Sequence, residues 1–113
     1  VRDRSRGERL PVEVAIKRQT SDTARFYGLN DRGTLKPGMK ADVTVIDLEG
    51  LTLHAPRMVF DLPAGGRRLI QRADGYKYTV VSGEVIYENG EATGAMPGKL
   101  VRGPQPAPSS AIG

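Results

Sequence analysis

The sequence predicts a mainly β fold with a short N-terminal helical segment, arranged as a small β-sandwich or an antiparallel β-meander. Three observations carry that prediction. The 113 residues include 14 glycines and 8 prolines, a density of turn formers that favours short strands over long helices. Helical spacing of apolar residues is confined to a stretch near the N-terminus, beginning at Pro11. Beyond it, apolar and polar residues alternate between turn signals, most clearly from Lys77 to Thr93. A chain of this length fits one small domain, burying roughly two thirds of the surface its unfolded form exposes.

These patterns divide the chain into an irregular basic arm over residues 1–9, a helical segment over 10–29, a β-rich body over 30–103 and a Pro/Ser-rich tail over 104–113. In the helical segment Pro11 suits a first helical position, Glu13 lies in the first turn, and Val12, Ala15 and Ile16 share one face. Glu13 and Lys17 are spaced to pair across one turn. Thr20 or Ser21 caps a second short helix through Phe26 or Tyr27, stopped by Gly28, which gives a helical hairpin or a kinked helix. Helices below about 12 to 15 residues need packing partners to persist. This region is therefore expected to be mobile, repositioned or packed on another copy.

The Lys36-Pro37-Gly38 turn leads into an alternating stretch from about Ala41 to Asp47, expected as a central strand. Leu51-Thr52-Leu53 and Met58-Val59-Phe60 suggest brief strands, and Leu62 to Gly66 a turn or open loop. Tyr78-Thr79-Val80-Val81 and Glu84-Val85-Ile86-Tyr87 flank Ser82-Gly83, and Asn89-Gly90 precedes Glu91-Ala92-Thr93. Asn-Gly fits a type I′ turn, whose two central residues need positive φ, so two hairpins and a three-stranded meander follow. The tail from Pro104 carries too little apolar area to order it and is expected to fray. No repeat of solenoid length is visible.

Composition narrows the chemistry. No cysteine is present, which removes disulfides and thiolate chemistry and agrees with a cytoplasmic location. No apolar run approaches a membrane span or a signal peptide. The net charge of +4 raises nucleic acid as a partner, but Asp3, Glu8 and Asp74 interrupt the basic clusters. Only two Phe and four Tyr are available for base stacking. Nucleic acid is not expected as a partner.

Candidate catalytic groups are sparse. His54 is the single histidine, and no second His, no Cys and no close acidic triad accompanies it, so a structural or solvent-facing role is expected. Asp31, Asp42, Asp47 and Asp61 stand beside turns or strand ends, where a carboxylate accepts local backbone hydrogen bonds. Ser82 lacks the surroundings of a nucleophile elbow and reads as a hairpin turn. Gly65-Gly66-Arg67-Arg68 is the candidate site: glycine backbone N–H groups and guanidinium forks can hold a carboxylate or phosphate.

A longer pattern runs through Thr23-Ala24-Arg25, Gly28-Leu29, Asp31-Arg32-Gly33-Thr34-Leu35, Pro37-Gly38 and Ala41-Asp42-Val43-Thr44-Val45-Ile46-Asp47. In that order it resembles the C-terminal region of metal-dependent amidohydrolases. Asp61-Leu62-Pro63-Ala64-Gly65-Gly66-Arg67-Arg68-Leu69 and Thr93-Gly94-Ala95-Met96-Pro97-Gly98-Lys99-Leu100-Val101-Arg102-Gly103 narrow the resemblance to the N-acyl-D-amino-acid deacylases, the D-aminoacylase-like members. It covers about Arg2 to Gly103. Thr23 stands where the wider superfamily usually has proline, a change at a helix start.

The resemblance implies a two-part parent enzyme. A (β/α) barrel would hold one or two zinc ions that activate water, the helical segment would be the end of that barrel, and an accessory β-domain would draw strands from both ends of the polypeptide. The parent would hydrolyse N-acyl-D-amino acids. The family's metal-binding histidines and catalytic aspartate lie upstream of the stretch that Val1 matches, so no catalytic residue, metal ligand or cofactor is assigned to this chain. It is expected to be a non-catalytic accessory domain, inactive alone, the end of something larger. The expected partners are the parent's catalytic barrel and, for the fragment, another copy; no membrane is expected. Two other readings stay open: a freestanding basic β-module that binds nucleic acid or another anion, and a self-associating interaction domain.

Overall fold

The computed structural model describes residues 7–109. The expected basic arm lies outside the described residues over 1–6, as does the tail over 110–113. The chain is mainly β with a short N-terminal helical segment, and it divides into two units. One takes the residues up to Asp42 together with those from Gly98; the other runs from Val43 to Pro97.

The first unit begins with α1 (Val12–Gln19) and α2 (Ser21–Phe26), broken at Thr20. Pro11 stands just before α1, one position earlier than expected, and its carbonyl accepts the N–H groups of Val14 and Ala15. Thr20 precedes α2 but makes no side-chain cap. Its hydroxyl instead donates back to the Ile16 carbonyl at 2.7 Å, a competing local bond open to a Thr at the end of the preceding helix. Glu13 and Lys17 do not pair; Lys17 reaches across the break to Asp22 at 2.8 Å. Ala24, on α2, is the one buried apolar side chain among the described residues.

After α2 the chain is fixed by backbone bonds. Leu29 donates to the Ala24 carbonyl at 2.8 Å, and Lys40 donates to the Asp31 carbonyl at 2.8 Å. The Pro-rich segment from residue 104, expected to fray, is tied in at Gln105. Gln105 donates to the Gly28 carbonyl at 2.9 Å and accepts from Asn30 at 3.1 Å, a parallel bridge to Leu29. Side-chain composition misses this because the order rests on main-chain groups.

The second unit holds eight short strands and one 3₁₀ turn (Pro63–Gly65). β1 (Val43–Ile46) pairs antiparallel with β6 (Tyr76–Val81), placing Val43 opposite Val80 and Thr44 opposite Thr79. β7 (Glu84–Glu88) and β8 (Glu91–Ala92) extend the sheet in the order β1-β6-β7-β8. The expected meander is β6-β7-β8. β1, expected to be central, is instead an edge strand, because its alternating residues specify a face and not the number of neighbours. The β7–β8 turn has Asn89 at φ 50° and Gly90 at φ 86°, the positive values that a type I′ turn requires.

Between β1 and β6 the chain makes a nested excursion. Asp47 donates to the Gly75 carbonyl at 2.8 Å, β2 (Thr52–Leu53) pairs with β5 (Ala73–Asp74), and β3 (Arg57–Leu62) pairs with β4 (Gly66–Ile70). The turn expected between Leu62 and Gly66 is present at residues 63–65, but Gly66 itself begins β4. In β3–β4, Met58 faces Leu69 and Phe60 follows Met58 at the two-residue period, while the register shift between Val59 and Leu62 puts Leu62 opposite Gly66. Phe60 is 68% and Leu69 66% exposed. No side chain of the second unit is buried among the described residues.

Candidate functional site

A cleft of about 430 Å³ lies beside the β2–β5 pair and the β7–β8 turn of the second unit. His54, Asp74 and Arg72 come to it from the nested excursion, Tyr76 and Thr79 from β6, Tyr87 from β7, Asn89 from the turn after it and Glu91 from β8. The local pairing explains this convergence. Thr52 stands opposite Asp74 and Leu53 opposite Ala73, so the next residue, His54, donates its backbone N–H to the Arg72 carbonyl at 2.9 Å. Thr79 stands opposite Tyr87 across the β6–β7 ladder. Asn89 donates to the Lys77 carbonyl at 2.8 Å, which fixes the turn against β6.

His54 thereby meets an acidic partner from a distant part of the sequence. Its Nε2 lies 2.9 Å from Asp74 Oδ2, and the Gln71 amide donates to its carbonyl at 3.0 Å. Asp74, Arg72, Glu91, Tyr76 and Tyr87 were not singled out from the sequence. The partner of His54 lies 20 positions away, and only the β2–β5 register brings it close.

Gly65, Gly66, Arg67 and Arg68, the candidate anion loop, are placed elsewhere. Gly65 ends the 3₁₀ turn, and Gly66, Arg67 and Arg68 stand in β4. Arg68 directs its fork at Asp61 of the facing strand, Nε to Oδ1 at 2.7 Å and Nη2 to Oδ2 at 2.6 Å. This guanidinium holds the Asp61 carboxyl below the usual carboxylate range. One of the two guanidinium forks of the candidate loop is thus engaged by a carboxylate of its own chain.

The other aspartates also take local partners. Asp31 pairs with the adjacent Arg32 at 2.8 Å, whose hydrogen bond lowers the Asp31 pKa. Asp42 pairs with Lys40 at 2.6 Å, and Asp47 continues the ladder through its main chain. Ser82 sits in the β6–β7 turn at φ 51°. Among the described residues no group of three or more His, Cys, Asp or Glu side chains is arranged to hold a metal ion. The donor set of the described residues does not fit the zinc that the resemblance implies for a parent enzyme. No helix among the described residues is long and apolar enough to cross a membrane.

Comparison with known proteins matches residues 2–87 to the model of a family described as "Amidohydrolase family". A dihydroorotase of Elusimicrobium minutum (strain Pei191) is 32% identical over 92 residues, covering 72% of this chain and 21% of the relative. Adenine deaminase 1 of Rhizobium meliloti (strain 1021) is 36% identical over 101 residues, covering 78% of this chain and 18% of the relative. The N-acyl-D-aspartate deacylase of Alcaligenes xylosoxydans xylosoxydans is 35% identical over 104 residues, covering 91% and 18%. The chain thus spans about a fifth of the length of these relatives. No solved structure matches it.

Proposed function

Because this chain belongs to the amidohydrolase family, we propose that it is a non-catalytic C-terminal accessory domain of a metal-dependent amidohydrolase. The observation that carries the proposal is the state of its apolar side chains. Ala24 alone is buried among the described residues, while Met58, Phe60 and Leu69 stand exposed on one side of a two-stranded ribbon. Such a ribbon is marginal in water by itself. Exposed apolar area of this kind is stabilised by cover, at about 25 cal/mol for each Å² removed from water. In this reading the cover is a longer polypeptide, since the part matched makes up only about a fifth of each of these relatives.

In this reading the barrel of the parent holds the zinc and the reacting groups, and this chain contributes support. The parent's substrates are N-acyl-D-amino acids. Support for that class comes from the Asp61–Leu69 and Thr93–Gly103 stretches, and from the deacylase relative, which covers more of this chain than the dihydroorotase or the deaminase does. A second reading is self-association of the isolated chain through the Met58–Leu69 side. The same exposed residues favour it when nothing else covers them.

Hydrogen exchange on the longest polypeptide that contains this chain tests the proposal. Amides of β3 and β4 should be protected there and exchange at least tenfold faster in the 113-residue chain at low concentration. Equal exchange in both would overturn the accessory role. N-acetyl-D-amino acid hydrolysis by the longer polypeptide tests the substrate class separately.

A further inference from the structure

Two steps of the second unit place glycine directly after aspartate or asparagine: Asp74-Gly75 and Asn89-Gly90. At such a step the glycine nitrogen can attack the preceding side-chain carbonyl carbon, because no Cβ shields that nitrogen. The fold treats the two steps differently. The Asp74 carboxyl is held by His54 Nε2 at 2.9 Å. Gly75 is packed: a Cβ there would stand 2.8 Å from the Leu51 Cα, and its carbonyl accepts the Asp47 N–H at 2.8 Å. Asn89 and Gly90 are exposed, and a Cβ built on Gly90 would meet nothing within 4 Å. Among the described residues, neither the Asn89 side-chain amide nor the Gly90 N–H has a hydrogen-bond partner.

In the closed hairpin Asn89 at φ 50° and Gly90 at φ 86° keep the type I′ form, so attack requires rotation about the Asn89 Cα–C bond. Two features make the hairpin yield at this point. β8 is two residues long, and the register sets Glu88 directly opposite Glu91, a like-charge pair that destabilises the ladder. Asn89 stays anchored by its own N–H on the Lys77 carbonyl at 2.8 Å, so the rotation swings Gly90 and β8 while β6 and β7 remain in place.

We propose that Asn89 is a self-modification site, at which the side-chain amide is lost by attack of the Gly90 nitrogen. That nitrogen gives its proton to solvent base, bonds to the Asn89 side-chain carbonyl carbon and expels ammonia, which closes a succinimide ring. One water then opens the ring. Opening at the side-chain carbon leaves aspartate in place of Asn89; opening at the main-chain carbon leaves isoaspartate, with the chain running through the side-chain methylene. One ammonia leaves and one water enters, with no change of oxidation state. Either product adds a negative charge beside Glu88 and Glu91, and isoaspartate also lengthens the turn, so β8 is released from β7. All these groups belong to the second unit, so the site stands whether or not a longer polypeptide covers the β3–β4 ribbon.

The test is peptide mass mapping of the 113-residue chain after incubation in mildly alkaline buffer made with ¹⁸O-labelled water. Asn89 should convert to labelled aspartate and isoaspartate at a rate within about tenfold of that of the same chain unfolded in urea, as expected of a strand end that opens locally. In the folded chain Asp74 and the other asparagine, Asn30, which precedes Asp31, should convert at least about tenfold more slowly than Asn89. Asn89→Gln should remove the labelled product at this position. In the converted fraction, isolated by its added negative charge, the Thr93 amide, which donates to the Ile86 carbonyl at 2.9 Å, should exchange severalfold faster while Val80 is unchanged. Conversion of Asn89 in urea alone, conversion of Asp74 or Asn30 as fast as Asn89, or unchanged Thr93 exchange in the converted fraction would each overturn the proposal.

Discussion

Arg68 and Asp61 face each other across the β3–β4 ribbon in a bidentate pair, with both nitrogen–oxygen distances at or below 2.7 Å. Lying on a ribbon whose other side is apolar and exposed, the pair helps to hold the two strands in register. The hydrogen bond from Arg68 lowers the Asp61 pKa, so ionised Asp61 favours the folded ribbon. That contribution is present above the unfolded carboxylate value of about 3.9 and is lost as pH falls through the depressed folded value. An NMR titration of the Asp61 carboxyl should give a midpoint below that of an unstructured aspartate, and Arg68→Ala should return it to the ordinary value. A midpoint already ordinary in the wild type would contradict the pair.

Gly33 is the most constrained position of the first unit. Its φ is +94°, and a Cβ placed there would stand 2.8 Å from the Ala24 Cβ and 3.1 Å from the Thr20 carbonyl oxygen. Gly33→Ala should destabilise the unit by roughly 1–3 kcal/mol through backbone strain, with crowding added at its one buried side chain. Chemical denaturation followed by helix signal measures this. An unchanged midpoint would mean that the contact with Ala24 is not maintained.

The exposed side of β3–β4 should bind an apolar fluorescent dye. Replacing Phe60 and Leu69 with Ser should reduce that fluorescence severalfold without loss of strand content by circular dichroism, because both side chains are about two-thirds exposed. If the dye bound equally to both proteins, the apolar surface would have to lie elsewhere.

The 113-residue chain should show no turnover of N-acetyl-D-amino acids with added zinc. Its described residues offer no group of three metal-binding side chains, and its single histidine is bonded to Asp74. Zinc-dependent turnover that survives repurification would require a catalytic centre absent from this account.

Local features were the most legible in the sequence. Pro11, the break near Thr20 and Asn89-Gly90 act through their own backbone and need no distant partner, so both helices and the last hairpin follow from a few residues. Distant pairing was harder to read. β1 took an edge because nothing in Val43-Thr44-Val45-Ile46 states how many neighbours it has. β4 was hidden because Gly65-Gly66 reads as a loop and Arg67-Arg68 as exposed charge, whereas Arg68 finds its acid seven positions earlier. The cleft was invisible for the same reason: His54, Asp74 and Glu91 meet only after the nested excursion has folded.

The coding sequence immediately upstream of Val1 tests the central claim most directly. The reading frame should continue into a long region with the H-x-H pair and aspartate of an amidohydrolase barrel, whose surface then covers the Met58–Leu69 side. A start codon at or beside Val1 would contradict it and leave a freestanding module whose exposed strands must be covered by another copy or another protein.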